Sequence, residues 1–333
     1  MTELTTTPEN NLEVDDRNNC EMELTASLAQ LDTHLREQLA ARPLEAESRR
    51  LFHGRGGCYQ GLNWLVVDWF SPVLVVTLFR EPPLGFELRL AELMRSQIQS
   101  LATSVDAVLV QYRFRTGAPF ATLIGSLPSS LFAQRGDLRF NLSLQQQNVG
   151  FFLDIEPARE WLEADVAGKR VLNLFSYTCA FSVVALAAGA QQVVNIDMSQ
   201  RALKVGRDNH KLNSITVDKV KFLAHDIFSS WGKLKHLGPY DRVIIDPPSF
   251  QKGSFVATKD YQRVLKKMID LVAPGGQFLA CLNAPEVART DFRALVESCC
   301  PEFVWQQDLP QHGDFPDADV EKALKMLVFQ RLS

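Results

Sequence analysis

The chain has 333 residues, 46% of them hydrophobic and 22% charged, with a formal net charge of −4. That length is enough for two domains with full cores. The longest apolar runs are strand-length and the start lacks a basic and apolar leader, which excludes a bilayer-spanning helix or secretory signal and predicts a cytoplasmic protein. Cys20, Cys58, Cys179, Cys281, Cys299 and Cys300 form no Cys-x-x-Cys pair, so neither a metal site nor a disulfide framework is expected.

Residues 1–25 hold seven acids against Arg17, which predicts a disordered acidic tail over 1–24 and leaves the body slightly basic. Leu24, Leu28, Leu31, Leu35 and Leu39 recur at helical spacing and predict a helix over 25–47. Strands are expected at 61–68 and 73–79, a helix at 87–100, a strand at 107–114 and one or two more near 138–144. This is a small α+β domain over 25–145, a candidate RNA-binding domain without a catalytic cluster. From residue 146 the rhythm changes. Strands at 171–175, 192–197, 220–224, 241–246 and 277–282 interleave with helices at 180–188, 200–212 and 261–271. The pattern predicts an α/β domain over 146–333 with a doubly wound, mostly parallel, Rossmann-like sheet.

In such a sheet the first strand-to-helix turn meets the ligand, and an acid ending the second strand takes ribose hydroxyls. Here the turn is Asn173-Leu-Phe-Ser-Tyr-Thr-Cys-Ala180 and the acid is Asp197. The turn lacks the Gly-x-Gly-x-x-Gly that lets a pyrophosphate approach the backbone. Phe175, Tyr177 and Cys179 fill that room, so a dinucleotide is disfavoured. S-adenosylmethionine carries ribose and adenine without phosphate; Asp197 suits its diol and Asp226 its adenine amine. Helix capping is the competing role for both acids. Asp246-Pro-Pro-Ser-Phe250 follows the apolar run 240–245. Two prolines cannot continue a strand, so they hold Asp246, Ser249 and Phe250 rigidly at the carboxyl end of the sheet. A carboxylate, a hydroxyl and an aromatic face suit a planar base that needs stacking plus edge contacts.

Gly150-Phe-Phe-Leu-Asp154, Asn173-Leu-Phe-Ser-Tyr-Thr178, Asp197, His225-Asp226 and Asp246-Pro-Pro-Ser-Phe250 occur in that order. Together they resemble the bacterial 23S ribosomal RNA base methyltransferases, class I S-adenosylmethionine enzymes that modify cytosine C5 or guanine N7. Phe52-His-Gly-Arg-Gly56, Gly61-Leu62 and Val67-Asp68 resemble the small domain that precedes the catalytic domain in that family. The resemblance covers about residues 48–333. It implies cofactor contacts at Phe151, Leu153, Asp154, Asn173, Phe175, Ser176, Tyr177, Thr178, Asp197, Met198, Ser199, Asp226, Ile227 and Asp246. It implies substrate contacts at Pro248, Ser249, Phe250 and Asn283, and catalysis at Asp246, Pro247 and Asn283. Two positions depart from the pattern: Cys179-Ala180 replace a pair of glycines, and Glu156 stands where an arginine is common.

Cytosine C5 is a poor nucleophile, so its methylation needs a cysteine thiolate that attacks C6. The C5-type members carry that cysteine at the position that Asn283 occupies here. Cys281 lies two residues earlier, inside the apolar run 278–282. Guanine N7 already has a lone pair and needs only alignment in a suitable electrostatic setting. The expectation is a methyltransferase acting on a ribosomal RNA base, 23S RNA favoured, of the guanine-N7 type. Cytosine-C5 chemistry, exocyclic-amine methylation, a small-molecule substrate and a non-catalytic adaptor remain as alternatives, and the oligomeric state is not set by the sequence.

Overall fold

The computed structural model describes residues 9–144, 146–248, 250–251 and 255–332, with side chains from residue 21 onward except 250–251 and 255–258. The chain divides into two compact units: residues 1–129 with 144–147, and 130–143 with 148–333. The boundary expected at 145/146 is therefore not a single cut. A hairpin over 132–141 belongs to the second unit.

In the first unit, α1 (Glu9–Ala41) is followed by β1 (Arg49–His53), β2 (Leu65–Phe70), β3 (Val73–Leu78), α2 (Phe86–Gln99), β4 (Ala107–Tyr112) and β5 (Phe120–Gly125). Helix α1 starts inside the segment read as a disordered tail. Residues 9–23 carry no apolar stripe, so the periodic signal begins only at Leu24, although the backbone is already helical. Leu24, Leu28, Leu31 and Leu35 are buried, as the spacing predicts, and the helix stops at Ala41, just before Pro43. Strand order is β1-β2-β3-β4-β5, with β3 and β4 parallel and the other pairs antiparallel. The ends of β1, β3 and β4 and the start of β2 consequently share one end of the sheet. At that end Gly54 follows β1; a Cβ there would stand 1.9 Å from the Leu62 carbonyl oxygen, so only glycine lets the two segments meet.

The second unit opens with the hairpin β6 (Phe132–Arg135) and β7 (Leu138–Asn141). It continues through α3 (Glu156–Ala164), β8 (Arg170–Leu174), α4 (Ala180–Ala187), β9 (Gln192–Asp197), α5 (Gln200–Leu212), β10 (Val220–Ala224), α6 (Trp231–Leu237) and β11 (Tyr240–Ile245). The short strands β12 (Phe250–Gln251) and β13 (Phe255–Val256) precede α7 (Ala257–Leu265), α8 (Met268–Leu271), β14 (Val272–Leu282), α9 (Arg289–Cys299), β15 (Phe303–Asp308) and β16 (Lys325–Arg331). The helix expected over 261–271 is thus two helices. The seven-stranded sheet has order β10-β9-β8-β11-β14-β16-β15, parallel except for β16.

Alternate residues of each central strand enter opposite cores: Leu172, Leu174, Val243, Ile245, Phe278 and Ala280 on one face, Val171, Ile244, Leu279 and Cys281 on the other. A sheet covered on both faces needs continuous apolar strands, which is why these read so plainly in the sequence. Strand order reverses between β8 and β11, and in open α/β sheets that switch point opens a crevice at the carboxyl ends of the strands. Among the described residues, no helix is long and apolar enough to cross a membrane.

Candidate active site

The turn from β8 to α4 is held in an unusual backbone conformation. Phe175, Tyr177 and Cys179 have φ of 55°, 46° and 62°, a region that costs a non-glycine residue about 1–3 kcal/mol. Tertiary bonds offset that strain. Thr178 Oγ1 donates to the Gly150 carbonyl at 2.6 Å, Tyr177 Oη to the Asn148 carbonyl at 3.0 Å, and Asn209 Nδ2 to the Thr178 carbonyl at 3.0 Å. The segment 148–154 is thereby docked on the turn. The phenol of Tyr177, pushed up to about 12 by burial and then by Asp197, stays protonated as a donor.

Cys179 departs from the glycine pattern, but its side chain does not enter the crevice. It is fully buried and faces Gly206 of α5, where a Cβ would lie 2.5 Å from its Sγ. Gly206 makes the room that Cys179 fills. Glu156, the second departure, pairs with Arg159 at 2.9 Å and with Arg135 of β6. A guanidinium is therefore present, one helical turn further on. Arg159 is buried, donates to the Phe152 carbonyl and lies 4.0 Å over the ring of Phe151; its Nε has no partner among the described residues.

Asp197 ends β9. Its Oδ2 accepts from Tyr177 N and its Oδ1 from Ser199 N, each at 2.8 Å. Burial raises the carboxyl above its ordinary value against the pull of these two bonds. An ionised group in that state calls for further donors, and a vicinal diol supplies two. Capping of α5 belongs to Ser199, whose Oγ accepts from Ala202 N at 3.1 Å, so Asp197 has no capping role. Asp226 does have one: it accepts from Phe228 N at 3.0 Å at the start of the 3-10 turn 227–229.

The structure redistributes several positions named from the sequence. Asn173 is buried and donates to Asn195 Oδ1 at 2.9 Å; Asn195 donates to Ser182, which bonds His210. Its amide therefore braces β8, β9, α4 and α5 beneath the turn instead of lining the crevice. Phe151 packs on Phe140 at 4.6 Å, and Leu153 and Ile227 are core residues. Phe175 and Ser176 belong to the turn itself, and Met198 is 47% exposed beside Asp197. Phe152, inside the 150–154 motif but not among the contacts expected from it, is 43% exposed, 5.6 Å from the Tyr177 ring.

At the end of β11, Asp246 is partly buried, Pro247 buried and Pro248 exposed. Ser249 and the Phe250 side chain lie outside the described residues. The Asp246 carboxyl is pushed up to about 7, by burial first and then by the charge of Asp154, with Arg159 opposing. Tyr261 of α7, also missed in the sequence, donates to the carbonyls of Cys281 at 2.9 Å and Ile245 at 3.3 Å. It ties the last residues of β11 and β14 together and so fixes Asp246 relative to Asn283. Asn283 is exposed; Cys281 is fully buried, and burial together with Asp246 and Asp154 holds its thiol well above the usual cysteine range.

A parallel sheet whose strand order reverses, with a half-buried carboxylate ending its second strand and no phosphate-binding glycine loop, fits an α/β enzyme for a phosphate-free nucleoside cofactor. The sequence profile of the S-adenosylmethionine-dependent methyltransferases matches residues 49–330, and the chain belongs to that family. Its cofactor is S-adenosylmethionine. Bacillus subtilis YwbD, provisionally named a ribosomal RNA large subunit methyltransferase, is 26% identical over 326 residues, 88% of this chain and 78% of that protein. Ribosomal RNA large subunit methyltransferase I of Enterobacter sp. (strain 638) is 32% identical over 244 residues, 70% of this chain and 60% of that relative. The match to the Aeromonas salmonicida protein of the same name covers 34% of its length. Among solved structures, an S-adenosylmethionine-dependent methyltransferase, provisionally so described, from Streptococcus mutans superposes with a TM-score of 0.75 at 22% identity, over 99% of this chain and 83% of that one. A structure of SMU.776 complexed with SAH gives the same values. These likenesses concern the fold.

Proposed function

We propose that the enzyme methylates a base of large-subunit ribosomal RNA at a ring nitrogen, guanine N7, without a covalent enzyme–base adduct. The ribosomal substrate is supported by the names of the relatives at 26% and 32% identity. The nitrogen chemistry rests on one observation: at the end of β14 the accessible residue is Asn283, while the thiol two residues earlier is buried and protonated. A C5 mechanism needs a thiolate in contact with C6. Cys281 has neither the ionisation nor the access.

When bound, S-adenosylmethionine supplies an electrophilic methyl group on a sulfonium. In the proposed assignment, Asp197 accepts from the ribose hydroxyls, Asp226 accepts from the adenine amine, and the turn 175–178 shapes the rest of the cofactor cleft. Pro247 and Pro248 hold the turn that aims Asp246, Asn283 contacts the base edge through its neutral amide, and Ser249 and Phe250 complete the substrate side. No proton leaves guanine N7 on methylation, so no general base is required. The modified base carries a positive charge, and in this assignment the carboxylates of Asp246 and Asp154, which sense each other's charge, offset it.

Cys281→Ala tests the assignment. The variant is expected to keep most of its transfer of labelled methyl to large-subunit RNA, measured well below its melting temperature because the cavity destabilises the core. A covalent complex with 5-fluorocytosine-containing RNA, present in the wild type and lost in Cys281→Ala, would overturn it.

A further inference from the structure

At one end of the five-stranded sheet of the first unit, arginines interleave with aromatic rings. Arg55, on the 3-10 turn that follows β1, places its guanidinium 4.1 Å from the centroid of the Phe79 ring. Arg113 lies 5.5 Å from the same ring, positioned by its backbone N–H bond to the Leu78 carbonyl at 2.8 Å. Arg80 sits 5.0 Å over Trp64, and Arg115 sits 4.3 Å over Tyr112 and 5.3 Å over Phe114. Arg55, Arg80 and Arg115 are exposed.

Arg113 Nη1 donates to the Gln147 carbonyl at 3.0 Å, a neutral acceptor. Arg50 is tied to Asp68 by two bonds of 2.7 and 3.0 Å, but no carboxylate pairs with Arg55 among the described residues. Arg55 and Arg113 share one ring, and the pKa of each is lowered by burial and by a neighbouring arginine. His53, 2.8 Å from Arg50 Nη1 through its Nδ1, is pushed down to about 3 by burial, then by Arg50 and Arg55. The acids near this end are Glu87, which bonds the Tyr112 hydroxyl, and exposed Glu81. Like charges held together raise the free energy of the empty surface, and a polyanion lowers it. The cations are guanidiniums laid over rings, not ammoniums, and such planes are what unpaired bases stack on. A bilayer surface offers phosphates but nothing planar to stack.

We propose that this end of the first unit is a binding face for single-stranded RNA, with Arg55 and Arg113 taking phosphates and the arginine–aromatic planes taking bases. The proposal rests on the reading that RNA is the substrate and names the surface that grips it. It is tested on the full chain by fluorescence anisotropy with a labelled oligouridylate across a range of salt. Arg55→Ala with Arg113→Ala should bind about tenfold or more weakly, and its salt slope should be shallower by about 1.4, at about 0.7 for each lost phosphate contact. Arg55→Lys with Arg113→Lys should keep the salt slope and lose affinity several-fold, because an ammonium meets a phosphate as a point charge without the guanidinium fork and does not lie flat on Phe79. Melting temperatures near wild type identify folded variants. Unchanged affinity and slope in a folded alanine pair would overturn the proposal. So would loss of binding to phosphatidylserine vesicles with RNA binding intact, which would make the face a membrane contact.

Methyl transfer to large-subunit RNA is read separately. If the wild type transfers and the alanine pair binds and transfers equally well, the face fails and the substrate reading stands. If the wild type transfers nothing to RNA while the alanine pair loses oligouridylate binding, the face stands and the substrate reading fails.

Discussion

Asp197→Ala is expected to weaken S-adenosylmethionine binding by roughly 30- to 1,000-fold, about 2–4 kcal/mol. Both carboxylate oxygens are already oriented by backbone N–H groups of Tyr177 and Ser199, so a diol meets a rigid acceptor pair. Removal leaves two ribose hydroxyls desolvated without partners. Alanine relieves the burial cost that holds this carboxyl above its ordinary value but leaves the N–H groups of Tyr177 and Ser199 without their acceptor, so a melting curve is read beside the titration to separate lost binding from lost stability. Asp197→Asn keeps one acceptor and should fall between the two. Calorimetric titration reads all three proteins, and an unchanged dissociation constant in Asp197→Ala would remove Asp197 from the cofactor site.

Asp246→Asn is expected to lower methyl transfer by about a hundredfold, near 2.7 kcal/mol in the barrier, because a neutral amide cannot offset the charge gained by the base. The pH dependence fixes the sign. The Asp246 carboxyl rises from 3.8 to about 7 on folding. Between those values the folded chain holds a proton that the unfolded chain has lost, so stability falls as pH rises through that window. Above about 7 the full cost remains, on the order of a few kcal/mol. Asp246→Asn should therefore melt higher than wild type at pH 8, with the difference gone near pH 4. Wild-type turnover should rise with pH through about 7 as the carboxylate forms, and the profile of Asp246→Asn should be flat there. A wild-type profile without that rise would separate Asp246 from the chemistry.

The strands that carry these two acids were legible because a sheet buried on both faces has to be written as largely apolar segments, as Val193-Val-Asn-Ile196 and Val243-Ile-Ile245 are. Their terminal carboxylates then stood out against that background. Less visible was anything decided by tertiary packing. Strand β5 has only half-exposed and exposed positions, in no alternation, and β16 runs antiparallel between β14 and β15 with a register irregularity against β15, so neither follows the strand–helix rhythm. Helix α1 was read fifteen or so residues short because periodicity reports a buried stripe, and the stripe starts at Leu24. In the site, Tyr261 acts through a buried hydroxyl whose partners, Ile245 and Cys281, lie elsewhere in the chain, and the i,i+3 pairing of Arg159 with Glu156 is an ordinary helical spacing that does not mark its burial over Phe151. Asn173 was drawn into the crevice by its place in the turn motif, whereas inward pointing on a strand directs it to Asn195. Cys179 looked like an obstacle until its neighbour Gly206 came into view.

The central claim, nitrogen methylation of a large-subunit RNA base without a protein–base adduct, is tested most directly by identifying the product. Unmodified large-subunit RNA is incubated with the enzyme and isotopically labelled S-adenosylmethionine, digested to nucleosides and resolved by mass spectrometry. The account predicts label in 7-methylguanosine, formed equally by the wild type and by Cys281→Ala. Label in 5-methylcytidine, lost in Cys281→Ala, would contradict it.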